Sequence, residues 1–212
     1  MASSPERCLG GLLKDIEKDL SPEDLDIDSK DETAYKTSVE QIISLDSMIS
    51  STSKSLSSLF ESFSDDNKIS SRNKYFSSLN KTTILSAFHN QRSTLILQKN
   101  LSELNKEAIN TIINQLSGTY SKIIKNKNGN YFCTDLFKLC DKSQRILILK
   151  EISKTISIDC VNEYGTHPIQ TLIELSKCEE EYKLILSSFN DINKILGASL
   201  NQNGTYVIQK IL

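Results

Sequence analysis

The sequence predicts an all-α protein organised as a solenoid of helical repeats, and three observations carry that reading. A glycine-centred stretch recurs as Asn128-Gly129-Asn130-Tyr131-Phe132-Cys133-Thr134-Asp135-Leu136-Phe137, as Tyr164-Gly165-Thr166-His167-Pro168-Ile169-Gln170-Thr171-Leu172-Ile173-Glu174, and as Asn203-Gly204-Thr205-Tyr206-Val207-Ile208-Gln209-Lys210-Ile211-Leu212. Ser93-Thr94-Leu95-Ile96-Leu97-Gln98 is a fainter copy, and aligning residues 94, 130, 166 and 205 gives intervals of 36, 36 and 39 residues. Such a period marks units that bury their apolar faces only by stacking on one another. A second helical pattern follows each copy, and strand-type alternation is nowhere sustained.

The elements follow in order. Residues 1–32 carry ten acidic and four basic side chains and two of the three prolines, a composition too polar for a core, so a disordered or loosely attached leader is expected. Over 33–64, Ile42, Leu45, Ile49, Leu56, Leu59 and Phe63 fall on a 3-4 spacing with Thr52 completing the seam, the pattern of an amphipathic or coiled-coil-like helix. Serine fills 14 of the 35 positions from Ser44 to Ser78, which favours helix poorly. We therefore read this segment as a helix folded back on the array or as partly disordered, rather than as a dimerising helix. Asp65-Asp66-Asn67 and Ser70-Ser71-Arg72-Asn73 form a polar break. The domain boundary is placed near residue 80, giving an acidic, Ser-rich leader at 1–80 and a repeat array at 81–212.

Within the array, Asn105–Leu116, Asp141–Ile152 and Glu179–Phe189 are second, amphipathic helices following the motif stretches. Asp141 and Gln144 have the spacing of a helix-opening capping box. Gly129, Gly165 and Gly204 stand where a tight turn delivers the chain into each motif helix, and Pro168 falls in a first turn, where a helix tolerates it best.

Composition narrows the function classes. Net charge is only −2, but residues 1–90 hold 15 acids against 10 bases and residues 91–212 hold 12 against 15, so a mildly basic array follows an acidic leader. Cys8, Cys133, Cys140, Cys160 and Cys178 form no CxxC, and only His89 and His167 could join them as ligands, so neither a metal site nor a disulfide framework is expected. No signal-peptide h-region and no run of transmembrane length is present, and an intracellular, cytoplasmic protein is expected. No nucleophile–base pair, phosphate-binding glycine loop or small-molecule site stands out, so no enzyme, cofactor or membrane partner is expected.

The repeated residues suggest binding chemistry instead. Each aligned residue and the one four later share a helix face: Thr94/Gln98, Asn130/Thr134, Thr166/Gln170 and Thr205/Gln209. These side chains are short, polar and able to meet a base edge. The residue after the first of each pair is Leu95, Tyr131, His167 or Tyr206, and three of those are planar rings suited to stacking between splayed bases. Two polar fingers beside a stacking plate, once per repeat, make a surface that reads single-stranded RNA.

These motifs resemble the repeats of the Pumilio (PUF) family over Lys81–Leu212. The stretches at Gly129, Gly165 and Gly204 are similar to the second, third and fourth repeats of that eight-repeat domain, and Thr94–Gln98 stands as the first. The resemblance implies an α-solenoid of three-helix repeats that binds single-stranded mRNA selectively on its concave face. It also implies translational or other post-transcriptional regulation through 3′ untranslated regions, with protein co-regulators as further partners.

In the family, Asn with Gln prefers uracil, Ser or Cys with Gln prefers adenine, and Ser with Glu prefers guanine. The three Thr/Gln pairs come nearest the adenine type, and Asn130/Thr134 leans toward uracil without the Gln amide. Leu95 replaces a stacking side chain, and Asp135 places an acid where repulsion of phosphate should weaken binding. The sequence stops at Leu212, inside a fourth motif helix, without the repeats that read a 5′ UGU, so the 3′ part of a family-type element is the expected target, bound weakly. The alternative is a degenerate helical array that serves as a protein-interaction scaffold.

Overall fold

A computed structural model describes residues 68–212 together with Ser47, Ser51, Lys54, Ser55 and Ser58. Residues 1–67 of the leader, with the helix expected over 33–64, lie outside the described residues apart from those five positions. Every regular element among the described residues is an α-helix: α1 Lys68–Ser78, α2 Lys81–Ala87, α3 Gln91–Leu101, α4 Lys106–Leu116, α5 Tyr120–Ile124, α6 Gly129–Leu139, α7 Lys142–Ile152, α8 Ile156–Asp159, α9 Thr166–Leu175, α10 Glu179–Ser187, α11 Ile192–Leu200 and α12 Gly204–Ile211.

The helices group as the sequence period requires, each unit having a short helix, a motif helix and a second helix. Units 1 to 3 are α2–α4, α5–α7 and α8–α10, and α11–α12 form the described part of unit 4. Motif helices α3, α6, α9 and α12 pack side by side in one ladder, and α1, α4, α7 and α10 form another. α1 thus occupies the place of a second helix and buries Phe76 at the start of the array. The packed body therefore begins upstream of the boundary placed near residue 80, because α4 needs an apolar neighbour there as much as α7 does.

One continuous apolar core runs from Phe76 to Val207, through Leu97 and Leu101, Ile112 and Ile113, Phe132 and Phe137, Ile148 and Leu149, and Ile169 and Leu172. Phe88 of one unit meets Phe132 of the next with ring centroids 5.1 Å apart. Cys133, Cys140 and Cys160 belong to this core. Burial pushes the Cys140 thiol up to about 12 and that of Cys160 up to about 11, and raises Cys133 further, so these thiols stay protonated and pack as small apolar groups.

Local sequence sets the helix ends. Asn80, Asn90, Asn105 and Asp141 each accept a backbone N–H from the first turn of the helix that follows. The Asp141/Gln144 capping box is closed in both directions, at 2.7 and 2.9 Å. In the loops before three motif helices, Asn126, Asn162 and Asn201 accept from the N–H groups two and three residues on. Gly129, Gly165 and Gly204 follow those turns with ordinary negative φ. Their task is close approach: a Cβ on Gly165 or Gly204 would overlap the carbonyl oxygen of Asp159 or Ala198 on the preceding short helix, and one on Gly129 would meet Ile123.

Candidate nucleic-acid interface

The side-by-side motif helices present equivalent positions in a row. Leu95, Tyr131, His167 and Tyr206 are all exposed, Tyr131 at 58% and Tyr206 at 54%. They follow the buried residues Thr94, Asn130 and Thr166 and the half-buried Thr205. Three planar side chains and a leucine thus stand one per unit along the motif-helix ladder. Tyr164 precedes Gly165 and is half-buried; its hydrogen bond to the Glu163 carboxylate, then its partial desolvation, hold its phenol above the ordinary range. Its aromatic ring just before Gly165 is the signal that could have singled it out in the sequence.

The polar pairs are arranged differently from the open i/i+4 fingers expected. Thr94 is 2% exposed, and its hydroxyl lies 3.0 Å from both the Ala87 and the Asn90 carbonyl oxygens. Asn130 is 3% exposed, and its amide donates to the carbonyls of Asn126 and Lys127 at 2.9 and 2.7 Å. Thr134 is 4% exposed and donates to the Asn130 carbonyl at 2.9 Å. Short polar side chains in a helix lie beside their own backbone and can share a carbonyl that already accepts a backbone N–H, as those of Asn90 and Asn126 do. In this structure the three side chains are buried and bonded to backbone carbonyls rather than standing open as fingers.

The glutamines remain at the surface. Gln98 is half-buried, and its Nε2 donates at 2.8 Å to Asp135 Oδ2 on the neighbouring motif helix. Asp135 also pairs with Lys138 at 3.2 Å, so the acid expected to face phosphate unbalanced has a cation beside it. Gln170 donates at 3.0 Å to Thr166 Oγ1, which donates in turn to the Asn203 carbonyl at 3.0 Å and so ties unit 3 to unit 4. Thr205 and Gln209 leave both side chains at the surface with no partner among the described residues. Exposed Lys99, Lys138 and Lys210 flank the row, but Lys138 pairs with Asp135 and Lys210 with Glu174. Two of the three lysines beside the row are thus neutralised by acids.

Among the described residues, no three His, Cys, Asp or Glu side chains gather as metal ligands would, and no helix is long and apolar enough to cross a membrane.

No family model matches the chain. Among characterised proteins it is 30% identical over 126 residues to Pumilio homolog 12 of Arabidopsis thaliana, covering 58% of this chain and 21% of that protein. It is 28% identical over 116 residues to a Pumilio domain-containing protein of Schizosaccharomyces pombe, covering 55% and 15%. Among solved structures, the RNA-binding domain of yeast Puf5p bound to MFA2 RNA superposes with a TM-score of 0.58 at 23% identity, covering 64% of this chain and 37% of that one. The Puf4 RNA binding domain bound to the HO endonuclease RNA 3′ UTR recognition sequence gives a TM-score of 0.53 at 29% identity, covering 57% and 37%. This chain therefore spans about a fifth of Pumilio homolog 12 and under two-fifths of either solved domain. Period, ladder of motif helices and relatives agree: over its repeat array the chain is similar to proteins of the Pumilio (PUF) family.

Proposed function

We propose that this chain binds single-stranded RNA along the motif-helix ladder and contributes to post-transcriptional control of mRNA through 3′ untranslated sequences. The observation that carries the proposal is the exposed row of Tyr131, His167 and Tyr206, one planar side chain per unit at the same helical position. Bases stacked between such plates are held whatever their identity, and Gln98, Gln170 and Gln209 supply amide groups at the surface for reading their edges. The solved neighbours are RNA-bound domains, which supports the same reading. A cytoplasmic location and protein co-regulators belong to this proposal.

Unit 2 stacks without discriminating, since Asn130 and Thr134 are buried and Tyr131 alone faces outward. Units 1, 3 and 4 carry the base preference. The test is fluorescence-anisotropy titration of the full chain against short RNAs containing family-type elements, their 3′ halves and scrambled controls. His167→Ala and Tyr206→Ala should each weaken binding by about 1–3 kcal/mol, about fivefold to over a hundredfold. Binding unchanged in both variants overturns the assignment of this face.

A scaffold for protein contacts is the second reading, favoured by Leu147 and Leu186, which stand half-exposed on α7 and α10 in the other ladder. A chain that is folded yet binds none of the RNAs would shift the assignment there.

A further inference from the structure

Unit 1 lacks the paired reader of its own that its sequence suggests, because Thr94 is buried and committed to backbone carbonyls. What stands at the surface in its place spans two units: Gln98 of α3 and Asp135 of α6, joined at 2.8 Å. Asp135 lies one helical turn beyond the exposed Tyr131, and Gln98 lies one turn beyond the exposed Leu95, so both belong to the row of stacking positions. Orientation of the Gln98 amide is fixed by chemistry: an ionised carboxylate only accepts, so the amide must turn its nitrogen to Asp135. Its Oε1 then accepts nothing from the described residues and remains for a ligand. The Asp135 carboxylate, with one oxygen taken by Gln98 and the other by Lys138, keeps further lone pairs and is only half-buried. The combined edge offers acceptors at Gln98 Oε1 and both Asp135 oxygens, with the second Nε2–H of Gln98 and the Lys138 ammonium as the donors beside them.

Resting on the RNA-binding reading above, we propose that Asp135 is a specificity-determining residue for unit 1: with Gln98 it selects guanine and disfavours uracil at the base stacked between Leu95 and Tyr131. Guanine offers two adjacent donors on its Watson–Crick edge, the ring N1–H and the exocyclic amino group, which match two acceptors. Adenine and cytosine offer one amino group beside a ring acceptor. Uracil offers a single N–H flanked by two carbonyl oxygens, which face the acceptors of the protein and are repelled. The adenine preference suggested by a Thr/Gln pair does not apply here, because the threonine is not at the surface.

The test uses the full chain and a set of short RNAs in which each position in turn is A, C, G or U. Positions at which Gln98→Leu changes the base preference locate the base facing unit 1. At that base the wild type should favour guanine over uracil by about fivefold or more. Asp135→Ala should bring the ratio close to one while leaving the ratio at the base facing Gln209 unchanged. Ratios are compared because removing an acid raises affinity for every RNA. An unchanged ratio in Asp135→Ala, a wild-type preference for uracil, or no position sensitive to Gln98→Leu overturns this inference, whereas the RNA-binding reading survives if His167→Ala still weakens binding. Absence of binding by folded wild-type chain overturns both.

Discussion

A threonine or asparagine in the first turns of a motif helix sits within reach of carbonyls about one turn back, which it shares with a backbone N–H, and that proximity decides its role. Thr94 and Asn130 take those carbonyls and disappear from the surface, whereas the longer Gln98, Gln170 and Gln209 reach past the backbone. The i/i+4 rule placed each pair on one face without saying how far a flanking helix covers that face. Glycine shows the same dependence on neighbours. Gly165→Ala sets a methyl against the Asp159 carbonyl and should cost about 1–3 kcal/mol, read from the urea midpoint at constant slope. Gly197 lies within α11 with nothing near the site of a Cβ, so Gly197→Ala should stabilise by about 0.5–1 kcal/mol.

At the scale of elements, the second helices are joined by polar contacts as well as apolar ones. Arg145 on α7 donates to the fully buried Glu181 on α10 at 2.7 Å, and Glu181 also accepts from the Lys177 and Cys178 N–H groups at 2.9 and 3.2 Å. Burial by itself pushes the Glu181 carboxyl up, but the Arg145 guanidinium and those N–H groups outweigh it and hold the carboxyl below its ordinary range. A folded-state value below the unfolded one means that the stabilisation is complete above the ordinary glutamate range and is lost as pH falls through the lowered value. Glu181→Ala should therefore cost about 3 kcal/mol near neutrality, because Arg145 is left buried without its acid. Its stability should also vary less with pH across that acid window than the wild type's, as denaturant melts at several pH values would show. The motif recurrence and the Asp141/Gln144 box were legible because both are local patterns. The Arg145–Glu181 pair was not, since nothing in the sequence marks which charges on consecutive second helices will face each other.

On the scale of the whole molecule, each unit touches only its neighbours, so stability is shared unevenly along the array. Units in the middle are covered on both sides, and α6 and α9 bury Phe132, Leu136, Phe137, Ile169 and Leu172. α11 buries only Ala198, α12 only Gly204 and Val207, and Ile192, Leu196 and Leu200 of α11 are exposed. Amide hydrogen exchange should be slowest in α6, α7 and α9 and fastest in α11 and α12, and equal protection throughout would contradict this ordering. RNA stacked along the row would slow exchange in the units that it spans.

The repeat period, the all-helical order and the Asp141/Gln144 cap were legible in the sequence itself, because they arise from spacing within a single unit. The tertiary structure alone decided which polar residues reach the surface and which partner each one has. Thr94 lies inside while Gln98 lies outside, and the acid that orients Gln98 stands 37 residues away on another helix. The physical reason is that a helix in a stacked array has neighbours on both sides. Its buried arc, and partners such as the Asp135 that faces Gln98, are set by the units that it packs against, while Thr94 and Asn130 bond to carbonyls of their own unit.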